Sequence, residues 1–231
     1  TPRRSILASA AQSLMSHRMR AAAGAVAMRG AGLTVGGFYA HFESKEAMFR
    51  EVLGQTSRLM WTTLLSELKM PGVKGRRMEV AIRYLTPEIR PSWLPPCPLP
   101  ISLAESAQEK GSYQQIFVSE ISAWADALVE AIGPGMSRAA ALGWISLKYG
   151  GRALARAAEG TPLESEMLHG AKALAADLLD MDLEAPEMRA YLESARKTAR
   201  TRKPPEALRD HALLSSPPGE SDDGSESAGA D

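Results

Sequence analysis

The most informative segment of the chain is Ala31-Gly32-Leu33-Thr34-Val35-Gly36-Gly37-Phe38-Tyr39-Ala40-His41-Phe42-Glu43-Ser44-Lys45-Glu46. It predicts a tight turn, a very short helix and the start of a second helix. A helix of one or two turns is marginal in water and needs neighbours to pack on. Phe38 and Phe42 lie four residues apart and can supply that packing face. The segment therefore predicts a short helix that is braced on one side and displayed on the other.

The small and polar residues of this segment have separate expected roles. Gly32 can adopt the left-handed conformation of a turn between helices, and Thr34 and Ser44 are candidate N-caps. The pair Gly36–Gly37 weakens a helix but lets its backbone approach another molecule closely. Lys45 falls in the first turn of the next helix, where a cation is unfavourable for the helix dipole. A phosphate bound at that N-terminus would offset this mismatch.

Taken as a whole, the segment resembles the recognition-helix signature of the TetR family of transcriptional repressors. The similarity continues through Ala47-Met48-Phe49, and it includes the apolar first helix from Ser5 to Met15. The resemblance implies an all-α fold, in which a three-helix helix-turn-helix head precedes a helical body. The expected domains are a DNA-binding head over 1–54, a ligand-binding and dimerisation body over 55–183, and a polar, largely disordered tail over 184–231.

The same resemblance implies that a homodimer binds a palindromic operator in double-stranded DNA, with one head on each half-site. Lys45, Tyr39 and Thr34 are expected to contact phosphates. Val35, Gly36, Ala40 and His41 are expected to lie nearest to the base edges. A plain surface histidine is an equal alternative for His41, and no second His or Cys lies at metal-ligand spacing from it. The expected DNA contacts are Thr34, Val35, Gly36, Tyr39, Ala40, His41 and Lys45.

Composition limits the other possibilities. The 231 residues carry no net charge and 45% are hydrophobic, which suits one or two domains with a core. Residues 1–70 nevertheless hold nine basic and four acidic side chains, a basic block of the kind that binds nucleic acid. The single cysteine favours a reducing, cytoplasmic setting. No apolar run is long enough to span a membrane, and no signal peptide is expected.

Helical periodicity predicts further helices over 3–16, 44–69, 75–89, 112–132, 137–159, 163–180 and 187–203. The proline-dense residues 91–100 predict a rigid connector. Cys97, within it, is expected to pack as a small apolar residue, with a redox-sensing thiol as the alternative. The resemblance implies that the body encloses a pocket for an unknown small-molecule effector, and no cofactor or metal is expected. Candidate pocket residues are Trp61, Tyr84, Trp93, Phe117 and Trp124.

The helices expected over 137–159 and 163–180 combine many small residues with apolar faces that must be buried somewhere. The resemblance implies that they form a four-helix dimer interface, and packing within one chain is the alternative. The expected interface residues are Leu142, Ile145, Tyr149, Leu168, Ala171, Ala175 and Leu178.

These patterns favour a ligand-responsive, DNA-binding transcriptional regulator, most simply a repressor. The alternative is a helical adaptor that has lost DNA binding, because the helix expected over 19–30 departs from the family pattern. An enzyme is not expected, since the sequence shows no nucleophile motif, phosphate-binding loop or metal-ligand cluster.

Overall fold

The computed structural model describes residues 2–16, 28, 32, 35–94, 97–108, 111–204 and 206. All regular secondary structure in this part of the chain is helical, which confirms the all-α prediction. Two 3-10 helices cover Val35–Ala40 and Pro87–Ile89. The α-helices with described bounds are α1 (Pro2–Ser16), α2 (Lys45–Ser66), α3 (Gly72–Leu85), α4 (Leu99–Gln108), α5 (Ser112–Ile132), α6 (Arg138–Ala157), α7 (Pro162–Leu178) and α8 (Pro186–Ala199).

Several expectations concern residues outside the described ones. They are the capping role of Thr34, the helix expected over 19–30 apart from Met28, and the acidic end of the chain beyond residue 206. Gly32 is described and has a φ of +69°, the left-handed conformation that its place in a turn predicts.

The helix ends follow local chemistry. Ser44 has an extended backbone, and its hydroxyl accepts a 3.0 Å hydrogen bond from the Ala47 N–H, which caps α2 as predicted. Ser137 caps α6 in the same way, over 3.1 Å to the Ala140 N–H. Gly133, at a φ of +83°, ends α5. Because prolines, glycines and hydroxyls set these limits, the predicted helices agree with the observed ones to within a few residues.

The interior is continuous from α1 to the C-terminal helices. α1 packs on α2, and its Ile6, Leu7 and Ala10 are buried. α2 also packs along α5, while α6 lies among α3, α4, α5 and α7. No helix in the described part of the chain has both the length and the apolar character needed to cross a membrane.

α8 falls within the range that was expected to form a polar tail. Its Met188 and Ala199 are buried, and the helix packs on the turn at Pro87–Ile89. The Arg83 guanidinium lies 5.7 Å from the ring centroid of Tyr191 in α8. These residues therefore pack against the body, and α8 covers most of the helix predicted over 187–203.

Candidate functional site

The first candidate site is the short helix Val35–Ala40. The His41 and Phe42 N–H groups both donate to the Phe38 carbonyl, over 2.9 and 3.1 Å. Phe38 and Phe42 are buried, and their rings stack with centroids 5.5 Å apart. Tyr39, between them, is 67% exposed. The predicted division into a packed face and a displayed face is therefore present.

The packed face is fixed to both neighbouring helices. The Arg3 guanidinium of α1 lies 4.9 Å from the Phe42 ring centroid. The same side chain pairs with Glu51 of α2, with Nη1 2.6 Å from Oε1. A stacked, partly desolvated guanidinium can stabilise an aromatic ring by about 1 kcal/mol. The orientation of the short helix thus depends on α1 and α2 together.

The displayed face brings several predicted residues to one part of the surface. Ala40 and Lys45 are exposed and His41 is half-buried. Lys45 is the first residue of α2, next to the Ser44 cap. The backbones of Val35 and Gly36 belong to the short helix, and Thr34 lies outside the described residues.

A second candidate site is buried where α2, α3, α5 and α6 meet. We call it the aromatic–lysine cluster, and it consists of Trp61, Tyr84, Trp124, Lys148 and Tyr149. The Lys148 Nζ lies 4.5 Å from the ring centroid of Trp124 and 5.1 Å from that of Tyr84. Trp61 stacks on Trp124 with centroids 5.9 Å apart, and Tyr84 lies 5.3 Å from Tyr149. The Lys148 Nζ thus lies over two aromatic rings, and each of these rings packs on a further ring.

Lys148 is 0% exposed, and its Nζ has no hydrogen-bond partner among the described residues. Burial lowers the pKa of Lys148 to about 7, because the apolar surroundings disfavour the charged form. Ring faces attract a cation, but they leave its three N–H donors without oxygen acceptors. The site therefore contains an unsatisfied donor, which is expensive to bury.

Cys97 borders the cluster. Its Sγ lies 3.2 Å from the Tyr149 Oη, and burial raises the pKa of the thiol. Burial likewise raises the pKa values of Tyr84 and Tyr149 well above the ordinary range. These groups stay neutral at physiological pH, so none of them supplies a counter-charge for Lys148. The thiol packs as the small buried residue that was predicted, and burial makes it a poor redox nucleophile.

The structure brings together three of the five expected pocket residues: Trp61, Tyr84 and Trp124. Phe117 and Trp93 are partly buried against the same core. Sequence reasoning missed Lys148, although a signal was present. Lys148 lies four residues after Trp144, on the buried face of α6. A lysine on an apolar helical face is uncommon enough to mark a site.

The residues expected at a dimer interface divide into two groups. Ile145, Tyr149, Leu168 and Ala175 are buried within the chain itself. Ala171 also packs within the chain, because its Cβ would lie 3.0 Å from a Cβ placed on Gly151. These five residues pack within the chain, because α6 and α7 pack on each other and on α3.

Leu142 and Leu178 do lie on the surface, with 37% and 66% exposure. Three further leucines on the same two helices are also exposed: Leu154, Leu163 and Leu174. On these helices Gly143, Gly150 and Gly170 have open space where a Cβ would be. The outer faces of α6 and α7 therefore combine leucines with small residues.

Neither a scan against protein-family models nor a search of curated proteins gives a match to this chain.

Proposed function

We propose that the chain is a ligand-responsive, DNA-binding transcriptional regulator, most simply a repressor that acts as a homodimer in the cytoplasm. The observation that carries the proposal is the exposure of Tyr39 between the buried Phe38 and Phe42, on a short helix followed at once by α2. A core element would bury that tyrosine, whereas a helix that enters a groove must display it.

The displayed face has the chemistry for DNA. The Tyr39 hydroxyl and the Lys45 ammonium can contact phosphates, which give affinity without sequence preference. Lys45 stands at the N-terminus of α2, where the helix dipole and free N–H groups also favour a phosphate. Ala40, His41 and the backbone at Gly36 are the proposed neighbours of the base edges.

A dimer is proposed because one head binds one half-site, and two-fold symmetric assembly doubles the contact. The exposed leucines of α6 and α7 support it, since soluble monomers rarely expose a large apolar face. The open glycines Gly143, Gly150 and Gly170 would let a partner helix approach closely. The proposed occupant of this face is a second copy of the chain.

The proposed effector site is the aromatic–lysine cluster, and α2 is the proposed link to the head. α2 begins beside the displayed helix and carries Trp61 of the cluster. An effector that fits one orientation of α2 better than another would shift the population of DNA-competent dimers. In this mechanism the effector changes DNA binding through α2 and does not itself contact DNA.

The proposal is tested by electrophoretic mobility shift with the intergenic DNA beside the gene. We expect retarded complexes whose affinity falls steeply as the salt concentration rises, since phosphate contacts release counterions. Competition with unrelated DNA of the same length separates specific from non-specific binding. A folded dimer that binds no DNA at low salt would overturn the proposal and favour a helical adaptor.

A further inference from the structure

We propose that the aromatic–lysine cluster binds an organic anion, a molecule with an aromatic or other flat apolar body and one acidic group that pairs with Lys148. This inference deepens the proposed function, on which its regulatory meaning rests, by naming the chemical class of the effector.

The unsatisfied hydrogen-bond donors of the cluster determine which charge the ligand should carry. The Lys148 Nζ and the Nε1 atoms of Trp61 and Trp124 are buried without hydrogen-bond partners in the described part of the chain. All three atoms are donors, and none can accept. A neutral donor would leave the Lys148 Nζ unpaired, whereas a carboxylate or sulfonate offers it a charged acceptor.

The charges of the surrounding elements agree with this choice. The ion pairs in the described part of the chain join other residues, so no described carboxylate pairs with Lys148. Cys97 and Tyr84 act on Lys148 as neutral groups, and Tyr149 is hydrogen-bonded to Cys97. Arg90 and Arg152 also act on Tyr84, and both are cationic. An anion would supply the counter-charge that the described residues do not give Lys148.

The rings set the shape of the ligand body. Trp61 and Trp124 are stacked, and the Tyr84 ring, 5.1 Å from the Lys148 Nζ, lies against Tyr149. Such surfaces favour flat apolar molecules, which gain from stacking and from burial. A small hydrated anion such as phosphate gains nothing from these walls and would lose its hydration shell. The cluster is thus suited to an acid attached to an apolar body.

Two fluorescent probes test the inference, because they share one ring system and differ in charge. Anilinonaphthalenesulfonate is an anion, and phenylnaphthylamine lacks the sulfonate. At about pH 6, where Lys148 is protonated, we expect the purified chain to bind the anion at least about ten-fold more tightly than the neutral probe. Lys148→Met should bring the two affinities together, while the exposed-lysine control Lys74→Met should keep the preference.

A second measurement on the unaltered chain does not depend on how the variant folds. Raising the pH to about 9 should remove the preference, because Lys148 loses its proton before the buried Cys97, Tyr84 and Tyr149 ionise. Equal binding of the two probes at low pH would overturn the inference. So would a preference that survives Lys148→Met or the rise in pH.

The DNA experiment separates the two proposals. A chain that prefers the anion through Lys148 but binds no DNA keeps the anion site and contradicts the regulator. A chain that binds DNA but shows no preference between the probes contradicts the anion site alone.

Discussion

The Ser57 hydroxyl of α2 donates a 2.8 Å hydrogen bond to Oε2 of Glu120, a carboxylate of α5 that is only 6% exposed. Gly54, one turn earlier, leaves room for this carboxylate, since a Cβ there would lie 2.9 Å from the Glu120 Oε1. Arg58 adds a longer ion pair, with its Nη1 3.8 Å from the Glu120 Oε1. This polar contact holds the proposed link between head and body against the core.

Removing the Ser57 hydroxyl should weaken the contact between α2 and α5. Ser57→Ala leaves a buried carboxylate with one donor fewer, which we expect to lower the free energy of unfolding by roughly 1–3 kcal/mol. Urea denaturation measures this. Ser66→Ala is the matched control on the same helix, because Ser66 donates only to the Thr63 carbonyl one turn back, and it should change stability by less than about 0.5 kcal/mol. Equal effects of the two substitutions would show that the Ser57–Glu120 bond does not hold α2.

Lys148 should cost the chain stability in the absence of a ligand. Lys148→Met keeps the apolar stem and removes the buried amine, so we expect the free energy of unfolding at pH 7 to rise by about 2 kcal/mol or more, since one pKa unit corresponds to about 1.4 kcal/mol. Thermal and urea unfolding of the two proteins measure the difference. A variant that is less stable than the unaltered chain would mean that Lys148 has a stabilising partner.

The difference in unfolding free energy between Lys148→Met and the unaltered chain should depend on pH in a definite direction. The pKa of Lys148 is about 7 in the folded chain, against an ordinary value of 10.5. Between these values the unfolded state holds a proton that the folded state has lost, so this lysine makes stability rise with pH. Below about pH 7 its contribution becomes flat. The advantage of Lys148→Met should therefore shrink as the pH rises from 7 towards 10.

The outer faces of α6 and α7 should control association. Leu174→Glu with Leu178→Glu places two charges on the proposed dimer surface, one turn apart on α7. We expect sedimentation to show a monomer with unchanged helix content, because desolvating these charges opposes assembly. Val118→Glu is the control, since Val118 is 58% exposed on α5, and it should leave the dimer intact. A dimer that persists in the double variant would place the interface elsewhere.

Local signals in the sequence were enough to predict the helical architecture. Ser44 and Gly133 limit their helices through caps and turns that depend on a few neighbouring residues. Phe38 and Phe42 could be assigned to the interior from their spacing alone, and the structure confirms it. The displayed face of the short helix was predictable for the same reason, because the neighbours of a packed pair on such a helix must point outwards.

Long-range packing could not be predicted in this way. Periodicity shows that α6 has an apolar face, but not which helices cover it. Ile145 and Tyr149 were therefore expected at a surface that the chain itself buries with α3, α4 and α5. Glu120 and Lys148 are polar residues on apolar faces, and their roles become visible only when partners from distant helices are known. The aromatic–lysine cluster joins residues of four helices, and no local pattern contains it.

DNA binding by the short helix Val35–Ala40 is tested most directly by replacing together the two side chains proposed to contact phosphate. In Tyr39→Ala with Lys45→Ala, both changed residues are exposed, so we expect unchanged helix content and dimerisation. Fluorescence anisotropy should show weaker binding to every DNA sequence, with a salt dependence reduced by about one unit of log–log slope for the lost lysine contact.

Lys74→Ala is the control, because it removes the same charge from an exposed position on α3, and it should bind DNA as the unaltered chain does. We expect DNA affinity to fall at least about ten-fold in the Tyr39 and Lys45 double variant, while the Lys74 control is unaffected. Unchanged affinity and salt dependence in a folded, dimeric double variant would contradict the claim.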